Sequence, residues 1–343
     1  MKSRLPIGML LSVCYCASMA QDIPLVNQKI TNTFLYNPAL TGFKVPSITY
    51  VYKKVYTNVS GAPETNLLSA QMPFRNSRFG TGVLICRDKV NFIQNTTIAS
   101  AFAYHVAISE GASFSMGVSG ELDHIGLVSN TNFSSTTPNP VFESLRQQSV
   151  RRYDFSFGVH LATPTIQAGF SANRLSASLI QSETEKFITD FYSVYAQLVF
   201  WNKNKTSKVE PFVSYRRLSN TGKFGELALY YTIRNKLTLG THYKTFGAFG
   251  MVIGYNLRSS LGVTYSQEMY TNVPRGTLGP THEVDLQYKF PAQEENPNEG
   301  YPIIEQTRKR YTSIDYRGTP TPRKVRTKKS RMSKGVIRRG PRH

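Results

Sequence analysis

Between Arg152 and Leu161 the chain reads RYDFSFGVHL, with Tyr153, Phe155, Phe157, Val159 and Leu161 alternating against Arg152, Asp154, Ser156, Gly158 and His160. A period of two puts the five apolar side chains on one face of a β-strand and the polar or small ones on the other. The same alternation recurs over roughly 46–54, 65–73, 79–87, 96–107, 113–122, 152–161, 165–173, 190–201, 209–216, 225–233, 236–244, 247–256, 260–267 and 281–290, which predicts fourteen strands. Gly, Ala and Ser crowd the polar face, as in Ser113, Ser115, Gly117 and Ser119, or Gln167, Gly169 and Ser171. Small residues on that face suit an enclosed lumen packed with other material.

The connections carry a second pattern. Those near 74–78, 108–112, 162–164, 202–208, 234–235 and 257–259 are short, while 55–64, 88–95, 123–151, 174–189, 217–224 and 268–280 are longer, with 245–246 the exception. Alternating long and short connections through an even-stranded meander predict a transmembrane antiparallel β-barrel, with short periplasmic turns and long outer loops. Both termini then lie in the periplasm. An open sheet of this size would expose two edges and a broad apolar face, whereas closure pairs every backbone group. No stretch approaches the 18–20 apolar residues of a spanning helix.

Residues 1–20 read as a secretory signal peptide, with Lys2 and Arg4, an apolar centre from Ile7 to Val13, and Ser18-Met19-Ala20 before the cut. Cleavage there removes Cys14 and Cys16 and leaves Cys86 alone, so no internal disulfide is possible. Residues 21–45 show no alternation and contain the turn signal Asn37-Pro38 followed by Gly42. They read equally as a lumen or plug segment at the periplasmic end and as an ordinary arm preceding the barrel, 46–290.

The charge of +20 is uneven: residues 291–343 hold 14 Lys/Arg against 5 Asp/Glu, and every one of those bases lies from Arg308 onward. Such a block is expected to be a disordered basic periplasmic tail. Arg323, Lys324, Arg326, Lys328, Lys329 and Arg331 are its densest cluster and the candidate contact for peptidoglycan or an acidic periplasmic protein; a solvated tail with no partner is the competing reading. An exported barrel makes nucleic acid an unsuitable partner despite the charge.

Catalytic chemistry finds little support. None of the six histidines forms a metal-ligating i, i+4 pair, and no metal or cofactor is expected. Asp154, Ser156 and His160 share a strand face, but alternate residues stand about 6.6 Å apart along a strand, too far for a Ser–His–Asp relay.

Several segments resemble the PorP/SprF family of outer-membrane proteins of Bacteroidota, associated with the type IX secretion system and gliding motility. Gln28-Lys29-Ile30 through Tyr36-Asn37-Pro38-Ala39-Leu40-Thr41-Gly42 is similar to that family's leading block, and Gly61-Ala62-Pro63-Glu64-Thr65-Asn66 to its G-x-P-x-T segment. Phe155–Val159, Ala168–Asn173 and Pro211 to Arg216 resemble later strands. The resemblance covers about 21–290 and implies a fourteen-stranded barrel distantly like fatty-acid channels. It singles out Asn37, Pro38, Ala39, Gly42, Gly61, Pro63 and Thr65 as family-motif or plug residues. It also implies a non-enzymatic secretion component, in contact with outer-membrane lipid and other secretion components, that captures or anchors a secreted cargo or adhesin. The alternative is a passive channel for a hydrophobic or small polar solute. The tail after Phe290 departs from many members, which stop soon after the barrel.

Overall fold

The computed structural model describes residues 27, 33–74, 78–109, 111–128, 149–176, 191–218, 222–258, 260–272 and 277–290. The strands are β1 (Ser47–Lys54), β2 (Glu64–Pro73), β3 (Phe79–Val90), β4 (Ile93–Ser109), β5 (Ala112–Leu127), β6 (Val150–Ala162), β7 (Ile166–Asn173) and β8 (Phe191–Leu198). They continue as β9 (Phe200–Trp201), β10 (Lys208–Leu218), β11 (Gly222–Ile233), β12 (Leu237–Lys244), β13 (Ala248–Asn256), β14 (Leu261–Tyr270) and β15 (Thr281–Lys289). Neighbours in sequence pair antiparallel, and β15 returns to β1 in register from Ser47 opposite Lys289 to Lys54 opposite His282. The sheet therefore closes on itself.

β8 and β9 both pair with β10 and are one stave, so the barrel has fourteen. The ladder between them and β10 is interrupted at Val199, opposite Glu210-Pro211. Pro211 has no backbone N–H to give to that ladder, which accounts for the break.

The alternation read from sequence sorts into two environments. On β6, Phe155 and Leu161 point outward and are 46% and 44% exposed, while Asp154, Ser156 and His160 point inward and are buried. Outward apolar side chains recur around the whole barrel, among them Ile85, Val118, Val194, Leu229 and Ile253. A continuous apolar exterior of this extent is incompatible with water and fits a bilayer.

The sidedness of the connections is weaker than expected. Where longer connections were expected at 88–95 and 217–224, β3 and β4 continue until only Asn91 and Phe92 separate them, and three residues separate β10 from β11. The reason is that pairing outlasts the apolar belt. Arg87 on β3 donates from Nε to Gln94 Oε1 on β4 at 2.7 Å, a polar pair on an exposed ladder. Alternation of apolar residues reports only the part of a strand that meets lipid, so the polar extension was invisible to it. The long connections at that end are those after β1, β5, β7 and β14. Below, the end where β1 begins and β15 finishes is the near end, and the opposite one the far end.

Candidate functional site: a lumen filled by the segment before β1

Of the residues preceding β1, Asn27 and Phe34 to Phe43 lie inside the barrel. Two short 3-10 turns, Thr33–Leu35 and Pro38–Leu40, pack against the inner face, the second one touching β4, β5 and β6. Asn37 caps that second turn: its Oδ1 accepts from Ala39 N at 2.9 Å, and Pro38 occupies the first turn position, where its missing N–H costs nothing. Asn37 is fully buried, and its Nδ2 donates to Val159 O at 2.8 Å and Phe170 O at 3.2 Å, so one side chain ties the turn to β6 and β7. Ser171 Oγ donates to Tyr36 O at 2.8 Å.

Glycines make room for this contact. Gly117 and Gly158 face each other across β5 and β6; a Cβ on Gly117 would overlap the Pro38 carbonyl, and one on Gly158 the Asn37 amide. Gly42 adopts φ +66°, and a Cβ there would stand 2.6 Å from Gly80 Cα and 2.8 Å from Met72 O. Its N–H donates to Gln71 Oε1 at 3.1 Å. Only glycine satisfies both the left-handed backbone and the close approach.

Two lumen histidines grip the end of the segment. His105 Nε2 lies 3.0 Å from Thr41 O, and its Nδ1 2.8 Å from Ser115 Oγ. A carbonyl only accepts, so Nε2 carries the proton and Nδ1 accepts from Ser115. Phe43 packs between His105 and His160, with ring centroids 5.6 Å and 5.0 Å away, and His160 Nδ1 is 2.8 Å from the Tyr195 hydroxyl. The sequence did not pair Ser115 with His105, because only the β4–β5 register brings them opposite each other. Ser156 and His160, considered together from sequence, are engaged separately: Ser156 Oγ donates to Glu121 Oε1 at 3.1 Å.

Toward the far end, Asn27 sits in a charged nest. Its backbone N–H donates to both Glu283 carboxylate oxygens at 2.8 Å, and its Oδ1 accepts from Lys244 Nζ at 2.8 Å. Lys244 also pairs with Glu268 at 2.5 Å, which His242 Nε2 contacts at 3.0 Å. These groups are buried together, and their charges compensate one another in the lumen. Asn27 thus lies near the far end of the barrel, and Phe43 lies near the start of β1.

A family model described as "Type IX secretion system membrane protein PorP/SprF" matches residues 18–288. The chain belongs to the PorP/SprF family. This PorP/SprF barrel is accordingly a membrane component of type IX secretion, and its apolar exterior and closed sheet are those of an outer-membrane protein. Solved structures similar to it include the outer membrane protein Omp33 of Acinetobacter baumannii, at 8% identity and TM-score 0.45, covering 72% of this chain and 98% of that one. The KdgM porin is similar at 10% identity and TM-score 0.36, covering 71% and 99%. A mutant porin of Rh. blastica is similar at 10% identity and TM-score 0.34, covering 72% and 99%. No curated protein shows a significant match in sequence.

The other family-motif residues lie elsewhere in this PorP/SprF chain. Gly61, at φ +73°, accepts at its carbonyl from Asn91 N at 2.7 Å, Pro63 O accepts from Val55 N at 2.9 Å, and Thr65 Oγ1 donates to Asp88 Oδ1 at 2.6 Å. At the far end, Gly61 ties the β1–β2 connection to the β3–β4 hairpin, Pro63 closes that connection on itself, and Thr65 joins β2 to β3. The structure therefore divides the seven into two groups: Asn37, Pro38, Ala39 and Gly42 in the lumen, and Gly61, Pro63 and Thr65 at the rim. Arg323, Lys324, Arg326, Lys328, Lys329 and Arg331 lie outside the described residues, as does most of the loops 123–151 and 174–189.

Just inside the rim, the first residues after β7 turn back over the lumen. Arg174, at φ 57°, is buried against Glu121 with 3.6 Å between Nε and Oε2; its N–H donates to Ser156 Oγ at 3.2 Å, and Ser176 N donates to Asp154 Oδ1 at 3.0 Å. Beneath Arg174 is a chamber of about 60 Å³, lined by Phe34, Leu35, Leu67, Leu84 and Cys86 among others. Phe34 and Leu35 belong to the lumen segment, so that segment forms one wall of the chamber.

Proposed function

We propose that this barrel captures or anchors a secreted surface protein for type IX secretion, as a non-enzymatic component whose lumen is held shut by residues 21–45. The observation that carries this reading is the fit of Asn37 and Pro38 against Gly117 and Gly158, too close to admit one added carbon. A lumen packed this tightly across its middle favours a scaffold over a conduit. The far end is then the outer surface, with the connections 123–151 and 174–189 forming the contact for cargo or adhesin. The near end faces the periplasm, so the chain leaves β15 on that side. There the tail, through Arg323, Lys324, Arg326, Lys328, Lys329 and Arg331, reaches peptidoglycan or an acidic periplasmic protein. Nucleic acid has no place in this arrangement.

Cross-linking and pull-down of the tagged full chain from outer membranes tests the reading. Recovery of a large secreted protein, lost on deleting part of 128–149, is the expected result. Recovery of the barrel alone, together with solute flux through reconstituted vesicles, would replace it with the passive channel.

A further inference from the structure

Three adjacent near-end connections carry charge of one sign. The stretches 199–209, 233–238 and 256–262 contain Lys203, Lys205, Lys208, Arg234, Lys236 and Arg258 and no Asp or Glu. Lys208 turns inward to pair with Glu210 at 2.8 Å, whereas Lys203, Lys205, Arg234, Lys236 and Arg258 are exposed.

The three turns are braced to one another. Asn202 Oδ1 accepts from Thr206 N at 2.8 Å and Ser207 N at 3.0 Å; Asn235 N donates to Thr206 O at 2.8 Å; Arg234 N donates to Ser207 Oγ at 3.2 Å. Asn256 extends the chain of contacts, its N–H donating to Lys236 O at 2.8 Å and its Nδ2 to Asn235 O at 3.0 Å. Lys205, Arg234 and Asn235 hold left-handed backbone conformations, which belong to tight turns. The cations therefore stand on a fixed platform.

Depth identifies the occupant. Arg234 directly follows Ile233, Lys236 directly precedes Leu237, and Arg258 directly follows Leu257, which is 56% exposed on the lipid side. Outward Phe200, Tyr231 and Tyr255 lie on the same staves, an aromatic edge of the kind that marks the bilayer interface. Turns this short do not lift their cations beyond the headgroup layer, where Lys and Arg are drawn to phosphate.

We propose that the turns β9–β10, β11–β12 and β13–β14 form a docking platform for anionic phospholipid headgroups in the leaflet at the near end. The platform fixes this side of the barrel in its membrane and lies apart from the lumen and the far-end rim.

The test compares the full-length protein with a variant carrying Lys203→Gln, Lys205→Gln, Arg234→Gln, Lys236→Gln and Arg258→Gln. A control variant carries Arg87→Gln, Lys89→Gln and Lys223→Gln at the far end. Heat-modifiable migration on gels establishes that each barrel is closed. Native mass spectrometry then counts retained dioleoylphosphatidylglycerol against dioleoylphosphatidylcholine. An attraction of about fivefold per engaged cation gives the wild type a preference of at least tenfold for phosphatidylglycerol. The five-site variant is expected to lose that preference and the control to keep it. The tail is common to all three, so an undiminished preference in the five-site variant would overturn the proposal. So would equal loss in the control, displacement of the lipid by millimolar inorganic phosphate, which marks a free-anion site, or a platform that exchanges lipid for poly-glutamate, which marks an acidic protein.

Discussion

Asn37 is where the lumen segment is most exposed to test. Replacing it with alanine removes the cap of the Pro38–Leu40 turn, which contributes about 1 kcal/mol, and two hydrogen bonds to strand carbonyls at about 1 kcal/mol each. Together these put Asn37→Ala at roughly 2–4 kcal/mol against the docked state of the segment. The barrel ladder donates none of those bonds and should survive. Cys86 reports the difference. It faces inward, 4% exposed, in the chamber that Phe34 and Leu35 wall off. Its labelling by a maleimide requires the segment to leave, so the labelling rate follows the population of the open form. A loss of 2–4 kcal/mol should raise that rate about 30-fold or more, followed by the mass of the Cys86 peptide while heat-modifiable migration remains unchanged. Asn37→Asp keeps the cap but sets a carboxylate against two carbonyl oxygens, and it should label at least as fast. If Cys86 in Asn37→Ala labels at the wild-type rate, with a denatured control labelling fully, Asn37 does not hold the segment.

Other changes follow from the same geometry. Gly158→Val should expel the segment by overlap with Asn37, giving fast Cys86 labelling and raised solute permeability in a liposome-swelling assay; unchanged permeability would show that the lumen is blocked by something else. Lys244→Met removes the ion-pair partner of Glu268, leaving its contact with His242, and takes the closer of two lysine donors from Asn27, so the hold on Asn27 should loosen; breaking a buried pair costs about 3–5 kcal/mol, checked by urea unfolding followed through Trp201. His105→Phe removes the donor to Thr41 O and the acceptor of Ser115 while keeping the ring beside Phe43. Its expected cost is about 1–3 kcal/mol in the same unfolding assay. Phe155→Lys places a charge on the lipid face of β6 and should destabilise the barrel by about 2–4 kcal/mol in bilayers if that position is near the midplane, with little effect on Cys86 labelling.

The strands could be read because lipid and lumen impose opposite demands on successive residues. Tyr153, Phe155, Phe157 and Leu161 face out, and Asp154, Ser156 and His160 face in, as their alternation requires. That constraint is local, with a period of two, and needs no knowledge of partners. It fails where the strand leaves the bilayer: Arg87 and Gln94 pair above the belt, and polar residues on both faces look like loop. Pro211 was legible as a strand residue, but its effect, a split stave opposite Val199, depended on which strand lay beside it.

The lumen was legible only in outline. Asn37-Pro38 and Gly42 announced turns, and small residues on the inner face announced close packing, yet neither says what packs there. That Gly117 and Gly158 open space for Pro38 and Asn37, that Ser115 meets His105, and that Lys244 finds Asn27 across 217 positions are consequences of register and closure. By itself the sequence determined a closed, lipid-facing barrel, because alternation is written residue by residue. Only the tertiary structure decided what occupies its interior, because contacts there depend on register and closure, joining Asn37 to Val159 across 122 positions and Asn27 to Lys244 across 217, and no local pattern encodes which of many small or polar positions will meet.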